Sequence, residues 1–97
     1  MIDLSNKNAL VTGAAVGIGR GVSKVLAEQG ANVVVSDIDA DGAKSTSEEI
    51  IKAGGLSQSA QLDVTNKESV QTLISDLSNQ LGHIDARVDC ARLACMD

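Results

Sequence analysis

Thr12-Gly13-Ala14-Ala15-Val16-Gly17-Ile18-Gly19 is the stretch that decides the fold. It is preceded by Asn8-Ala9-Leu10-Val11, a short apolar run that reads, with Thr12, as a strand over 8–12. It is followed by Ile18, Val22, Val25 and Leu26 at helical spacing, which predicts a helix with those four on its inner stripe. Gly13, Gly17 and Gly19 therefore punctuate a strand-to-helix turn. A turn this tight needs backbone angles that a Cβ forbids, and glycine accepts them. A pyrophosphate approaching that backbone needs room, which Ala14, Ala15 and Val16 leave. The helix that follows offers it unpaired N–H groups and the positive end of a dipole.

The rest of the chain repeats the strand–helix alternation. Gly30 is placed to end the first helix in the left-handed conformation. Val33, Val34 and Val35 are consecutive and β-branched, as expected of a strand buried on both faces. A weaker helix is expected over 41–53, with Ala43, Ile50 and Ile51 inward and Gly54-Gly55 stopping it. A third strand is expected over 57–62. Thr65 and Glu68 have the spacing of a capping box. Val70, Leu73, Ile74, Leu77 and Leu81 then make the clearest amphipathic stripe, which Gly82 closes. The fourth strand is expected over 84–88. This β-α-β-α-β-α-β order implies a parallel sheet with right-handed crossovers.

Composition narrows the function. The net charge of −5 argues against nucleic acid as the main partner, since phosphate backbones require a basic face. No apolar run approaches the ~18 residues of a membrane span, so no membrane partner is expected. Cys90 and Cys95 have neither zinc-ligand nor redox spacing and read as free thiols in the reducing cytoplasm. His83, the only histidine, lacks company for a metal site and reads as a surface residue at a helix end. The chain has no Phe, Trp or Tyr. Cores usually hold some aromatic rings, so their absence suggests a portion of a larger protein. At 97 residues the stability margin is expected to be small.

The glycine stretch resembles the Thr-Gly-x-x-x-Gly-Ile-Gly fingerprint of the short-chain dehydrogenase/reductase family. The resemblance runs from about Asn8 to Asp85 and takes in Asp37, Leu62-Asp63-Val64-Thr65 and Leu81-Gly82-His83-Ile84-Asp85. It implies an α/β fold, a Rossmann-like parallel sheet with flanking helices and strand order 3-2-1-4, in a chain that is a partial NAD-binding domain. It also implies cofactor contacts at Gly13, Ala15, Gly17, Ile18, Gly19, Asp37, Asp63 and Val64. Asp37 lies 18 residues past Gly19, where a carboxylate can take the adenosine ribose hydroxyls. In this family an Asp there marks NAD. Asp63 and Val64 match adenine-contacting positions, although Asp63 also reads as a simple helix-approach residue.

The end of the chain departs from the family pattern. Ala86-Arg87-Val88-Asp89-Cys90-Ala91-Arg92 stands where a hydrophobic strand and Asn-Asn-Ala-Gly are usual, so 86–97 is read as a divergent end. Arg87 falls where a buried apolar residue is expected, and an unpaired buried Arg costs several kcal/mol. Arg92 replaces a glycine beside the cofactor. The family's catalytic Ser and Tyr-x-x-x-Lys have no counterpart, and no sequence neighbour activates Ser5 or Ser36. No catalytic and no metal-binding residue is therefore assigned. The expected function is that of the N-terminal portion of an NAD-dependent oxidoreductase, truncated and inactive by itself. A non-catalytic nucleotide-binding module, or a non-functional product, remains the alternative. The fourth strand is expected at an open edge, which promotes self-association.

Overall fold

A computed structural model of the protein describes residues 3–90. The elements are β1 (Asn8–Thr12), α1 (Gly17–Glu28), β2 (Asn32–Asp37), α2 (Ala40–Lys52), β3 (Leu56–Gln61), α3 (Lys67–Leu81) and β4 (Ala86–Asp89). The strands form one parallel sheet in the order β3-β2-β1-β4, the Rossmann-like arrangement expected.

The valine strand explains the layering. Val33, Val34 and Val35 are all fully buried. Val33 and Val35 join Val11, Ala14, Ala31, Ala43 and Ile50 beneath α1 and α2. Val34 turns the other way and joins Leu10 and Leu77, against which Leu73, Ile74, Leu81 and Ile84 pack. Each fully buried Val contributes about 1.5–3 kcal/mol relative to exposure, so β1 and β2 carry the core.

Two helical stripes differ from expectation. Ile18 and Val25 are exposed, while Gly19 and Ser23 form the inner line of α1 with Val22 and Leu26 half-buried beside them. The cause is close approach. A Cβ on Gly19 would lie 2.1 Å from the Gly13 carbonyl oxygen, so small residues must face the sheet. On α2 the buried line runs Ala43, Thr46, Ser47, Ile50, which leaves Ile51 exposed a hundred degrees round the helix.

The remaining differences lie at element ends. α2 starts one residue early because Asp39 caps it, accepting from Gly42 N–H at 3.0 Å. The Thr65–Glu68 capping box does not form. Asn66 caps α3 by accepting from Ser69 N–H at 3.1 Å, and Thr65 donates to Asp63 instead. β4 starts at Ala86, not at Ile84, because Asp85 makes the preceding junction with its own side chain. Its carboxylate accepts Asn8 N–H at 2.7 Å and its amide donates to Asn8 O at 2.8 Å. His83 is exposed after Gly82 and lies 3.1 Å from the Asp85 carboxylate.

Arg87 is not buried. Among the described residues β4 pairs only with β1, the Arg87 side chain is 38% exposed, and its Nε donates to Asp89 Oδ1 at 2.9 Å. Cys90 is buried, and this burial, with the Asp89 charge second, pushes its thiol pKa up. Ala91, Arg92 and Cys95 lie outside the described residues.

Candidate nucleotide site

The glycine turn lies at the C-terminal end of β1, beside the end of β2. Gly13 and Gly17 both have φ near +60°, at 63° and 62°, where a side chain is strained. Gly19 has ordinary angles, but its Cβ position is filled by the backbone of Gly13 and Ala14. Nothing lies within 4 Å of a Cβ built on Gly17, so the turn is open on that side. The three glycines thus have distinct duties: two turn the chain and one lets the helix close on the strand.

The three helices do not begin alike. Asp39 caps α2 and Asn66 caps α3, whereas Val16 at the start of α1 has no side-chain oxygen to offer, and no acidic residue occupies the first turn. The first amides of α1 therefore have no side-chain acceptor. A helix end of this kind favours an anion by about 0.3–1 kcal/mol through the dipole alone, and by more through direct N–H bonds.

Asp37 is brought to the same turn. Its Oδ2 accepts Ala15 N–H at 3.0 Å, and its Oδ1 accepts Asp39 N–H at 2.9 Å. Ala14 N–H donates to Ser36 O at 3.0 Å, a second tie between the turn and β2. A carboxylate has about four acceptor sites, so two remain for hydroxyl donors in front of the turn. The neighbours Val16 and Ile38 are neutral and exposed, at 70% and 63%.

Asp63 and Val64 follow β3, one strand further along the same edge. Leu62 N–H donates to Asp37 O at 2.9 Å, which fixes that segment to the end of β2. Asp63 Oδ1 accepts the Thr65 hydroxyl at 2.6 Å and the Thr65 amide at 3.0 Å. These bonds, hydroxyl first, hold its carboxyl below the usual range. Its described partners are thus those of a helix approach. Val64 is half-buried.

Sequence reading missed how α2 supports the turn. A Cβ on Gly42 would lie 2.7 Å from the Ala15 Cβ, and buried Thr46 directs its hydroxyl toward Ala15 O at 3.4 Å. Ala15 is therefore held by Asp37 on one side and backed by α2 on the other. No sequence signal marked it, because the burial of Thr46 and Ser47 on α2 exists only in the folded chain.

With this geometry established, comparison with known proteins is decisive. The short chain dehydrogenase family model matches residues 7–96. The chain belongs to that family. It is 40% identical over 82 residues to the uncharacterized oxidoreductase YxbG of Bacillus subtilis, covering 84% of this chain and 30% of that protein. Its fold superposes on the crystal structure of hydroxysteroid dehydrogenase from Escherichia coli with a TM-score of 0.86 and 37% identity, covering 90% of this chain and 37% of that one. A metagenomic short-chain oxidoreductase solved in complex with NADP gives 0.84 at 30% identity, covering 87% and 38%. The chain spans about a third of the length of the curated relatives it matches. Among the described residues, no helix is long and apolar enough to cross a membrane.

Proposed function

We propose that this chain is the NAD-binding portion of a short-chain oxidoreductase that transfers hydride between an alcohol or carbonyl and the cofactor. The observation that carries the reading is Asp37, held against the glycine turn by Ala15 N–H at 3.0 Å. The pyrophosphate would rest on the α1 N-terminus at Gly17, Ile18 and Gly19, with Gly13 and Ala15 shaping the turn. The Asp37 carboxylate would take the ribose hydroxyls, and Asp63 and Val64 would flank the adenine. The nicotinamide, when bound, supplies the hydride acceptor or donor.

The choice of NAD follows from charge. NADP carries a 2′-phosphate beside the ribose hydroxyl that Asp37 would hold. Two unit charges ~4 Å apart repel by about 4 kcal/mol at an effective dielectric near 20. Neither Val16 nor Ile38 supplies a cation to offset it. A metagenomic short-chain oxidoreductase is known in complex with NADP, so the proposed preference for NAD rests on Asp37 and its neutral neighbours at this turn.

The 97 residues by themselves are proposed to lack turnover, because a positioned acid–base pair contributes about 10²–10⁴-fold and the chain has no Tyr to serve in it. The reading also places the chain in the cytoplasm. Calorimetry with NAD and NADP tests the assignment. NAD should bind more tightly, and Asp37→Ala should narrow the gap. Tighter NADP binding by the unaltered chain refutes the cofactor choice. Absorbance at 340 nm with alcohols, ketones and sugars should show no turnover; activity that survives repurification and vanishes in Gly17→Trp refutes the inactivity.

A further inference from the structure

Two cations on α1 are held by a single carboxylate on α2. Arg20 N–H donates to Val16 O at 3.5 Å, so Arg20 lies one helical turn beyond the neutral residue beside Asp37. Lys24 lies one turn further along α1. Lys24 Nζ donates to Glu49 Oε1 at 2.6 Å, and Arg20 Nη2 donates to both Glu49 oxygens. All three residues are half-buried. The place of Glu49 gives this cluster a direction. Thr46 directs its hydroxyl toward Ala15 O at 3.4 Å, level with the glycine turn. Glu49 follows three residues later, on the same side of α2 and nearly one helical turn farther from the glycines. Long side chains on a helix lean back toward its N-terminus, which for Arg20 is toward Val16. Glu49 draws the guanidinium across to α2 instead. The Lys24 bond first, and the Arg20 bond and charge after it, hold the Glu49 carboxyl below the usual range, so the cluster is fully charged at neutral pH.

We infer, resting on the proposed cofactor site, that Glu49 is a positioning residue for cofactor choice: it withholds Arg20 from a phosphate on the 2′ position of the adenosine ribose. Asp37 opposes that phosphate by its own charge, whereas Glu49 opposes it by denying it a counter-charge. Val16 and Ile38 offer none, and Arg20 is the cation tied to Val16 through the backbone. Lys44 is not its equal, because it stands two residues from Gly42 and so about 200° round α2 from Ala15. A guanidinium released from Glu49 keeps its planar set of donors, which suits a phosphate, and its stem already leaves α1 toward the turn. The discrimination against a 2′-phosphate therefore has two layers, one at the end of β2 and one between α1 and α2.

The test is calorimetry of the 97-residue chain with NAD and with NADP, on Glu49→Gln, Arg20→Gln and the double variants Glu49→Gln/Arg20→Gln and Glu49→Gln/Lys24→Gln, each checked for folding by circular dichroism. Glu49→Gln should raise NADP affinity relative to NAD by about fivefold, the size of one exposed ion pair. Both double variants have the net charge of the unaltered chain. The one that retains Arg20 should keep the gain and the one that lacks it should lose the gain, a contrast that neither lost packing nor altered net charge produces. Arg20→Gln alone leaves Lys24 on Glu49, and should change the ratio by less than about twofold because the guanidinium is already occupied. That variant keeps the test independent of how well Glu49→Gln folds. With NAD binding intact, a ratio unmoved by Glu49→Gln, double variants that behave alike, or a ratio that falls severalfold in Arg20→Gln overturns the inference and leaves the Asp37 reading standing. Failure of the folded, unaltered chain to bind NAD overturns the cofactor site and the inference with it.

Discussion

Gly19→Ala adds one methyl group at the closest approach of α1 to β1. The new Cβ would lie 2.1 Å from the Gly13 carbonyl oxygen, 2.8 Å from its carbon and 3.0 Å from the Ala14 Cα. Ordinary contact requires about 3.5 Å, so the turn or the helix must retreat by roughly an ångström. All three neighbours are backbone, and no side chain can rotate away. Overpacking costs about 1–3 kcal/mol where neighbours adapt, so a cost of about 3 kcal/mol or more is expected here. Gly21→Ala is the control. It lies two residues along the same helix, has no neighbour within 4 Å of its Cβ, and has no positive φ. Alanine there should stabilise by about 0.5–1 kcal/mol, since glycine is the poorer helix former. At about 4–8 °C per kcal/mol for a domain of this size, the two melting temperatures should move in opposite directions. The chain has no aromatic residue, so urea and thermal unfolding must be followed by far-ultraviolet circular dichroism. On the proposed mode of binding, calorimetry on the folded fraction should show NAD affinity reduced at least tenfold in Gly19→Ala and unchanged in Gly21→Ala, because the amides that would face the pyrophosphate have moved. Equal stability and equal affinity of the two variants would refute the close-approach account of the glycine turn.

Two further outcomes follow from the local geometry. Asn66→Ala should destabilise the fold by about 1 kcal/mol through loss of the α3 cap, whereas Thr65→Ala should leave that cap intact and let the Asp63 carboxyl return toward its usual range, measured by urea titration and by NMR titration. Glu49 joins Lys24, at 2.6 Å, and Arg20 across α1 and α2; the Lys24 bond first and the Arg20 bond and charge after it hold its carboxyl below the usual range. A lowered carboxylate stabilises the fold above its unfolded pKa, and that contribution disappears as pH falls through the folded value. Glu49→Gln should therefore lower stability at neutral pH and flatten its fall on the acid side, and an unchanged acid limb would remove the clamp from the account.

The sequence by itself determined the fold. Alternating strand and helix patterns, three consecutive valines and a glycine turn after the first strand leave few topologies, because each is a local consequence of period and backbone freedom. The order β3-β2-β1-β4, which the family resemblance implied, is the one observed. The candidate nucleotide turn was legible for the same reason, as was the position of Asp37. What tertiary structure decided were matters of contact. Ile18 and Val25 fit a helical stripe, but the Gly19–Gly13 approach rotated small residues inward and left both exposed. Thr65 and Glu68 fit a capping box, but Asp63 took the Thr65 hydroxyl and Asn66 became the cap. Arg87 fits badly in a buried strand, and among the described residues it lies on the outer side of the sheet, 38% exposed and paired with Asp89. The bond from Ala15 to Asp37 joins residues 22 apart, and the Thr46 hydroxyl reaches Ala15 from 31 residues away. No local pattern encodes such pairings, because they exist only once the sheet has set β1 beside β2 and α2 has closed over both.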